Sequence, residues 1–183
     1  MTRAQRTIGS LGALLLALVV TTAQAQPQFT GTWVLDPSQS QLPQHDGHGK
    51  RAGKPQGQSP QDHPAQVKLV VEQQGNTLKA TRSVAHGPRE RTITETYVVD
   101  GSERTETGPR GGTSVTKATL GGDRLVVNKT HTRPAREPGQ PARSYSRESV
   151  WMLSADGRTL TIDTTTHTPR GDHTTKAVFT KAG

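Results

Sequence analysis

The sequence predicts an all-β chain, an antiparallel up-and-down β-barrel of nine or ten strands, and three observations predict it. Short runs rich in Val and Thr follow one another from residue 67 onward, each closed by a turn containing Gly, Pro or Asp. Within the runs, apolar residues recur at every second position, and no stretch carries the 3.6-residue period of a helix. The turns are short, so successive strands are hairpin partners, and a meander of this length closes on itself to remove its exposed edges.

The chain has 183 residues, and its first 25 read as an export signal. Arg3 and Arg6 precede an apolar run from Ile8 to Val20, and small Ala23 and Ala25 suit a signal peptidase before Gln26. The run is shorter than the roughly 20 residues that span a bilayer, so no transmembrane segment is expected in the mature protein. Residues 26–183 make one domain's length. Only 39 of these 158 residues are apolar, about a quarter, against roughly 45–50% in ordinary globular domains, so any core is thin. The chain has no cysteine. Disulfides therefore do not compensate for the thin core, as they do in many small extracellular domains, and a periplasmic or secreted bacterial location fits best.

Strands are expected near 29–35, 67–73, 77–85, 90–99, 103–107, 113–120, 124–132, 144–153, 158–167 and 173–181. Alternation assigns their faces. Phe29, Trp33 and Leu35 share one side, as do Val67, Leu69 and Val71, then Leu78, Ala80 and Val84, then Ile93, Tyr97 and Val99. Leu125 and Val127 continue the pattern, followed by Tyr145, Trp151 and Leu153, then Leu160 and Ile162, then Ala177 and Phe179. Thr fills many of the other strand positions, where a β-branched side chain suits the pleat. Between the first two strands, residues 37–66 contain Gln, Gly, Pro, His and Lys, with Leu42, Ala52 and Ala65 as the only apolar residues. Such a stretch buries nothing to offset the roughly 1–2 kcal/mol per residue of backbone ordering, so a mobile polar loop is expected.

The opening run Phe29-Thr30-Gly31-Thr32-Trp33 and the closing run Val178-Phe179-Thr180-Lys181 resemble the lipocalin and fatty-acid-binding superfamily, and most closely secreted bacterial lipocalin-like proteins. The resemblance implies that the first and last strands pair to seal a barrel. It implies also that Trp33 plugs one end under Lys181 as a cation-π partner, with Gly31 letting the backbone pass close and Phe179 on the closing strand. Two positions depart from the fatty-acid-binding branch. The 37–66 segment has no helical face where that branch has a helical lid, and Ala177 stands where that branch has an arginine that grips a ligand carboxylate.

Charged residues interrupt the otherwise apolar face at Arg82, Glu95, Lys129 and Arg147. If they face inward, with Tyr97, Tyr145 and Trp151, they line a cavity suited to a small hydrophobic or amphipathic, anionic ligand. The reading that charged side chains more often satisfy is that these four sit at strand ends and reach the rim into water. Metal ligation by His45, His48 and His63 of the polar segment is a weak alternative, since the spacing is loose and no cysteine ligand is present, so no metal or other cofactor is expected. A net charge of +8, or +6 without the two signal arginines, raises acidic polymers and lipid headgroups as partners of a basic surface. Nucleic acid is not expected, because six aromatics in an exported chain make poor base-stacking platforms. No nucleophile elbow, phosphate loop or constrained carboxylate pair occurs, so the expectation is a binding protein and no enzyme.

Overall fold

The computed structural model describes residues 27–42, 66–135, 137 and 139–183, the side chain of His86 excepted. The expected export signal and residues 43–65 of the polar segment, with His45, His48 and His63, lie outside the described residues. Ten strands follow in chain order: β1 Gly31–Leu35, β2 Gln66–Gln74, β3 Thr77–His86, β4 Arg89–Val98, β5 Asp100–Thr107, β6 Thr113–Gly121, β7 Arg124–Arg133, β8 Arg143–Leu153, β9 Thr159–Thr168 and β10 Gly171–Lys181. They form one antiparallel sheet in the order β4-β3-β2-β1-β10-β9-β8-β7-β6-β5. Every neighbour is a chain neighbour except β1 and β10, which zip the two chain ends together and curl the meander into a nearly closed barrel. No helix among the described residues is long and apolar enough to cross a membrane.

The strand boundaries follow the turn chemistry. Gly75, Gly87, Gly101, Gly122 and Gly157 adopt positive φ at tight connections, the backbone that hairpin turns require and that glycine alone adopts without strain. β5 begins three residues earlier than its Thr- and Glu-rich run suggests, because a bulge between Asp100 and Glu103 lets the chain resume pairing with β6 at once. β1 begins two residues later than expected. Phe29 lies outside the ladder, its N–H bonded to the Gln73 side-chain carbonyl at 3.2 Å, yet its ring is fully buried. The first residues of the polar segment are ordered by β10. Gln41 and Lys176 exchange backbone hydrogen bonds, and the Ser40 hydroxyl accepts from the Val178 N–H at 2.9 Å.

The core gathers at one end of the barrel. Leu78, Leu125 and Leu160 each follow the turn that opens their strand at that end, and all three are completely buried with Phe29 and Trp33. Trp33 pairs with Leu69 on one side and Lys181 on the other. Its indole N–H donates to the Phe29 carbonyl at 3.0 Å, so the largest buried side chain leaves no polar atom unsatisfied. The Lys181 ammonium sits 5.4 Å from the Trp33 ring centroid and covers the plug from outside.

Gly31 makes this closure possible. Its φ of 154° lies in a region open almost only to glycine, and a Cβ there would stand 2.9 Å from Lys181 Cε. Gly31→Ala is therefore expected to cost about 1–3 kcal/mol, read as a lower urea midpoint with an unchanged slope. Lys181→Met, which leaves the backbone alone, should cost no more than about 1 kcal/mol. A Gly31→Ala midpoint equal to that of the unsubstituted protein would remove the constraint.

Candidate functional site

Beyond the turn-proximal leucines of the plugged end, the inward positions along the strands mix smaller apolar residues with charged and hydroxyl side chains. Six residues read from the sequence as cavity candidates, Arg82 on β3, Glu95 and Tyr97 on β4, Lys129 on β7, and Arg147 and Trp151 on β8, line one cavity of about 170 Å³. Its apolar wall comes from Leu69, Ala80, Ile93, Val127, Ile162 and Phe179. Tyr145 is placed apart from these six. It lies one inward position nearer the opposite end, the mouth, where its ring packs against His131 with centroids 5.2 Å apart.

Glu95 organises the charges. Its carboxylate accepts a hydrogen bond from the Lys129 ammonium at 2.8 Å and another from the Tyr97 hydroxyl at 2.9 Å. Lys129 stands directly opposite Arg147 in the β7–β8 ladder, a like-charge pair that Glu95 partly offsets from across the barrel. Among the described residues, neither Arg82 nor Arg147 is ion-paired with a carboxylate. Three cations against one anion leave the cavity net positive.

The titration behaviour follows. Burial raises the Glu95 carboxyl, but the Lys129 hydrogen bond and charge, the Tyr97 hydroxyl and the Arg82 charge outweigh it, so its pKa lies below the ordinary glutamate value. Burial, then the Glu95 charge and its hydrogen bond, push the Tyr97 hydroxyl far above an ordinary phenol, which keeps it a donor. The Tyr97 and Trp151 rings meet edge to face at 6.3 Å, and Trp151 meets Phe29 likewise at 6.2 Å, so the charged group rests on the aromatic plug.

The ion pair also crosses the one open seam of the barrel. β4 and β5 are the two ends of the sheet order and do not pair. A hollow of about 250 Å³ lies along this seam, and Glu95, Tyr97 and Lys129 line both it and the cavity. Arg104, Glu106 and Thr116 line the seam side, and Ser149, Thr164 and Thr175 the cavity side. As ordinary polar strand residues nothing in the sequence distinguished them, and in β5 a bulge between Asp100 and Glu103 shifts the parity as well. Leu42 also lines the cavity. Its signal was its isolation, a large apolar side chain in an otherwise polar segment.

No family model matches this sequence. No curated protein matches it either. Solved structures do resemble it in shape. The REP1-NXSQ fatty acid transporter superposes with a TM-score of 0.51 at 14% identity, over 85% of this chain and 96% of that one. Lipid binding protein 8 from Caenorhabditis elegans gives 0.51 at 14% identity, over 84% and 95%. Secretory abundant heat soluble protein 4 from Ramazzottius varieornatus gives 0.51 at 13% identity, over 89% and 100%.

The carboxylate at the centre of the site sets an acid dependence. The stability it contributes is complete above the ordinary glutamate range and is lost as pH falls through the lowered folded-state value. Glu95→Gln should therefore cost about 0.5–1 kcal/mol at pH 7, the figure for a half-exposed pair. The two stability curves should converge below about pH 4. Curves that stay parallel from pH 7 to pH 3 would deny the ion pair this role. The shape of the chain is that of the lipocalin and fatty-acid-binding type of barrel, reached here by a sequence with its own distribution of interior charge.

Proposed function

We propose that this chain is an exported binding protein of the periplasm or extracellular space that holds a small, anionic, hydrophobic or amphipathic molecule in its barrel. One observation carries the reading: Arg82 and Arg147 line a cavity of mixed apolar and polar wall without carboxylate partners among the described residues. A guanidinium at the cavity wall with no acidic partner favours an oxyanion held by charge-assisted hydrogen bonds, here at a position that still reaches water. The barrels it resembles include a fatty acid transporter and a lipid binding protein by name, which supports the same class of cargo. The cation positions differ from the fatty-acid-binding arrangement, since Ala177 faces the cavity where that branch has an arginine and the guanidiniums come from β3 and β8. The small cavity limits how much of a long chain can be enclosed, so part of the ligand lies toward the mouth.

A second reading, an envelope interaction module for acidic polymers or lipid headgroups, has its own supporting observation. The connections at the mouth end and the residues flanking them carry Arg89, Arg110, Arg133, Arg143 and Arg170, whereas those at the plugged end mix Asp100, Asp123 and Asp156 with Arg124 and Arg158. Salt separates the two readings, because surface attraction is screened within about 10 Å at 0.1 M while cavity binding of an apolar tail is not.

Dodecanoate serves as a probe through Trp151, which lines the cavity, while Trp33 is sealed in the plug. Binding should quench part of the tryptophan emission, and Arg82→Gln/Arg147→Gln should weaken it about tenfold or more. Native mass spectrometry of protein taken from its own cell envelope should show a carried molecule that leaves on denaturation. An empty barrel in that spectrum together with no dodecanoate response would overturn the cavity reading.

A further inference from the structure

The inward face of the β7–β8 ladder continues past the cavity toward the mouth. Lys129 opposes Arg147, then His131 opposes Tyr145, then Arg133 opposes Arg143. The outermost pair sets two guanidiniums side by side on one face. Like charges directly opposite in a ladder are destabilising, and neither arginine is ion-paired with a carboxylate among the described residues. The two carboxylates of the flanking connections have other partners. Glu137 accepts from the Gln140 side chain at 2.8 Å, and Asp172 pairs with His167 at 2.9 Å.

Arg133 and Arg143 line a hollow of about 780 Å³ together with Tyr145, Arg170 and His173. This hollow adjoins the cavity: Tyr145 is the next inward position above Arg147, and His173 the next above Thr175. From the Lys129–Arg147 rung to the Arg133–Arg143 rung is four residues of strand, about 13 Å. The rung between is a tilted His131–Tyr145 pair, with His131 Nδ1 and the Ser114 hydroxyl 2.9 Å apart. A cationic rung, an aromatic rung and a second cationic rung form a track for an elongated molecule.

We propose that Arg133 and Arg143, with Arg170 and His173, form a second oxyanion site at the barrel mouth, so that the ligand is two-headed, with anionic groups about 13 Å apart joined by an apolar or flat middle. This rests on the cavity reading for the inner group and adds the outer one. Paired guanidiniums present several N–H donors to a carboxylate, sulfate or phosphate, and an anion between them relieves their mutual repulsion.

The test compares dodecanedioate with dodecanoate, which share one chain length and differ in the second carboxylate, and with hexanedioate, which is too short to reach both rungs. In the unsubstituted protein dodecanedioate should bind about tenfold or more tightly than either. In Arg133→Gln/Arg143→Gln the advantage over dodecanoate should fall to about one. Equal binding of the two twelve-carbon acids to the unsubstituted protein would overturn the proposal while leaving the cavity reading in place. An equal loss for both in the double variant would do the same.

If neither acid binds, the cavity reading fails, and the mouth site is then decided by inorganic phosphate and sulfate alone. Titration of either ion should shift the backbone amide resonances of Arg143 and Gly171 in the unsubstituted protein, and those shifts should vanish in the double variant. The two ions also distinguish a phosphate-type from a sulfate-type head by their order of affinity. No shift with either ion would overturn the mouth site.

Discussion

The structure depends on a five-residue strand that pairs on both edges. β1 gives its N-terminal part to β2 and its C-terminal part to β10, and the two ladders overlap at Trp33 and Val34. Remove that double pairing and the sheet falls into two pieces, β4-β3-β2 and β10 to β5, with four unprotected edges in place of two. The strand is short because it runs beside a plug. Trp33 fills the end, Gly31 keeps the backbone close beneath Lys181, and Phe29 tucks in from outside the ladder to meet Trp151. A thin apolar inventory thus serves best when concentrated at one end, where a few large side chains bury one another completely.

That concentration shapes everything beyond it. With Leu78, Leu125 and Leu160 committed to the plug, the inward positions toward the mouth mix Arg, Lys, Glu, Thr and His with smaller apolar residues such as Ala80, Ile93 and Ile162. Such groups line a lumen at low cost only where they are partnered or still reach water. Glu95, Lys129 and Tyr97 satisfy one another, while Arg82 and Arg147 remain without an acidic partner among the described residues. The same ion pair stands where the sheet is broken, between β4 and the strands beyond the seam, so a side-chain contact joins strands the backbone ladder leaves apart. Stability and ligand chemistry therefore meet at Glu95.

Much of the fold was legible because a β-strand has a period of two and its turns have a strict backbone chemistry. The Asn76-Thr77-Leu78 and Arg158-Thr159-Leu160 repeats mark where strands restart, and both leucines are completely buried. Parity also set Arg82, Glu95, Lys129 and Arg147 on the same face as Tyr97 and Trp151. What parity lacks is depth. It put Tyr145 with the others, although the barrel sets it one step nearer the mouth against His131. Nor does it reveal contacts between strands distant in sequence, such as Glu95 with Lys129, or the use of Leu42 as part of the wall.

The sequence by itself determined nine or ten alternating ribbons, their meander and the inward face of most of them, because these follow from local stereochemistry and short connections; the exception is the β4–β5 turn, whose strands do not pair. Only the tertiary structure decided where around the closed barrel the seam falls, which inward charges find partners, and which are left to bind something else. Those outcomes depend on distances across a lumen, between residues 34 positions apart or more, and no local pattern encodes the curvature that brings them together.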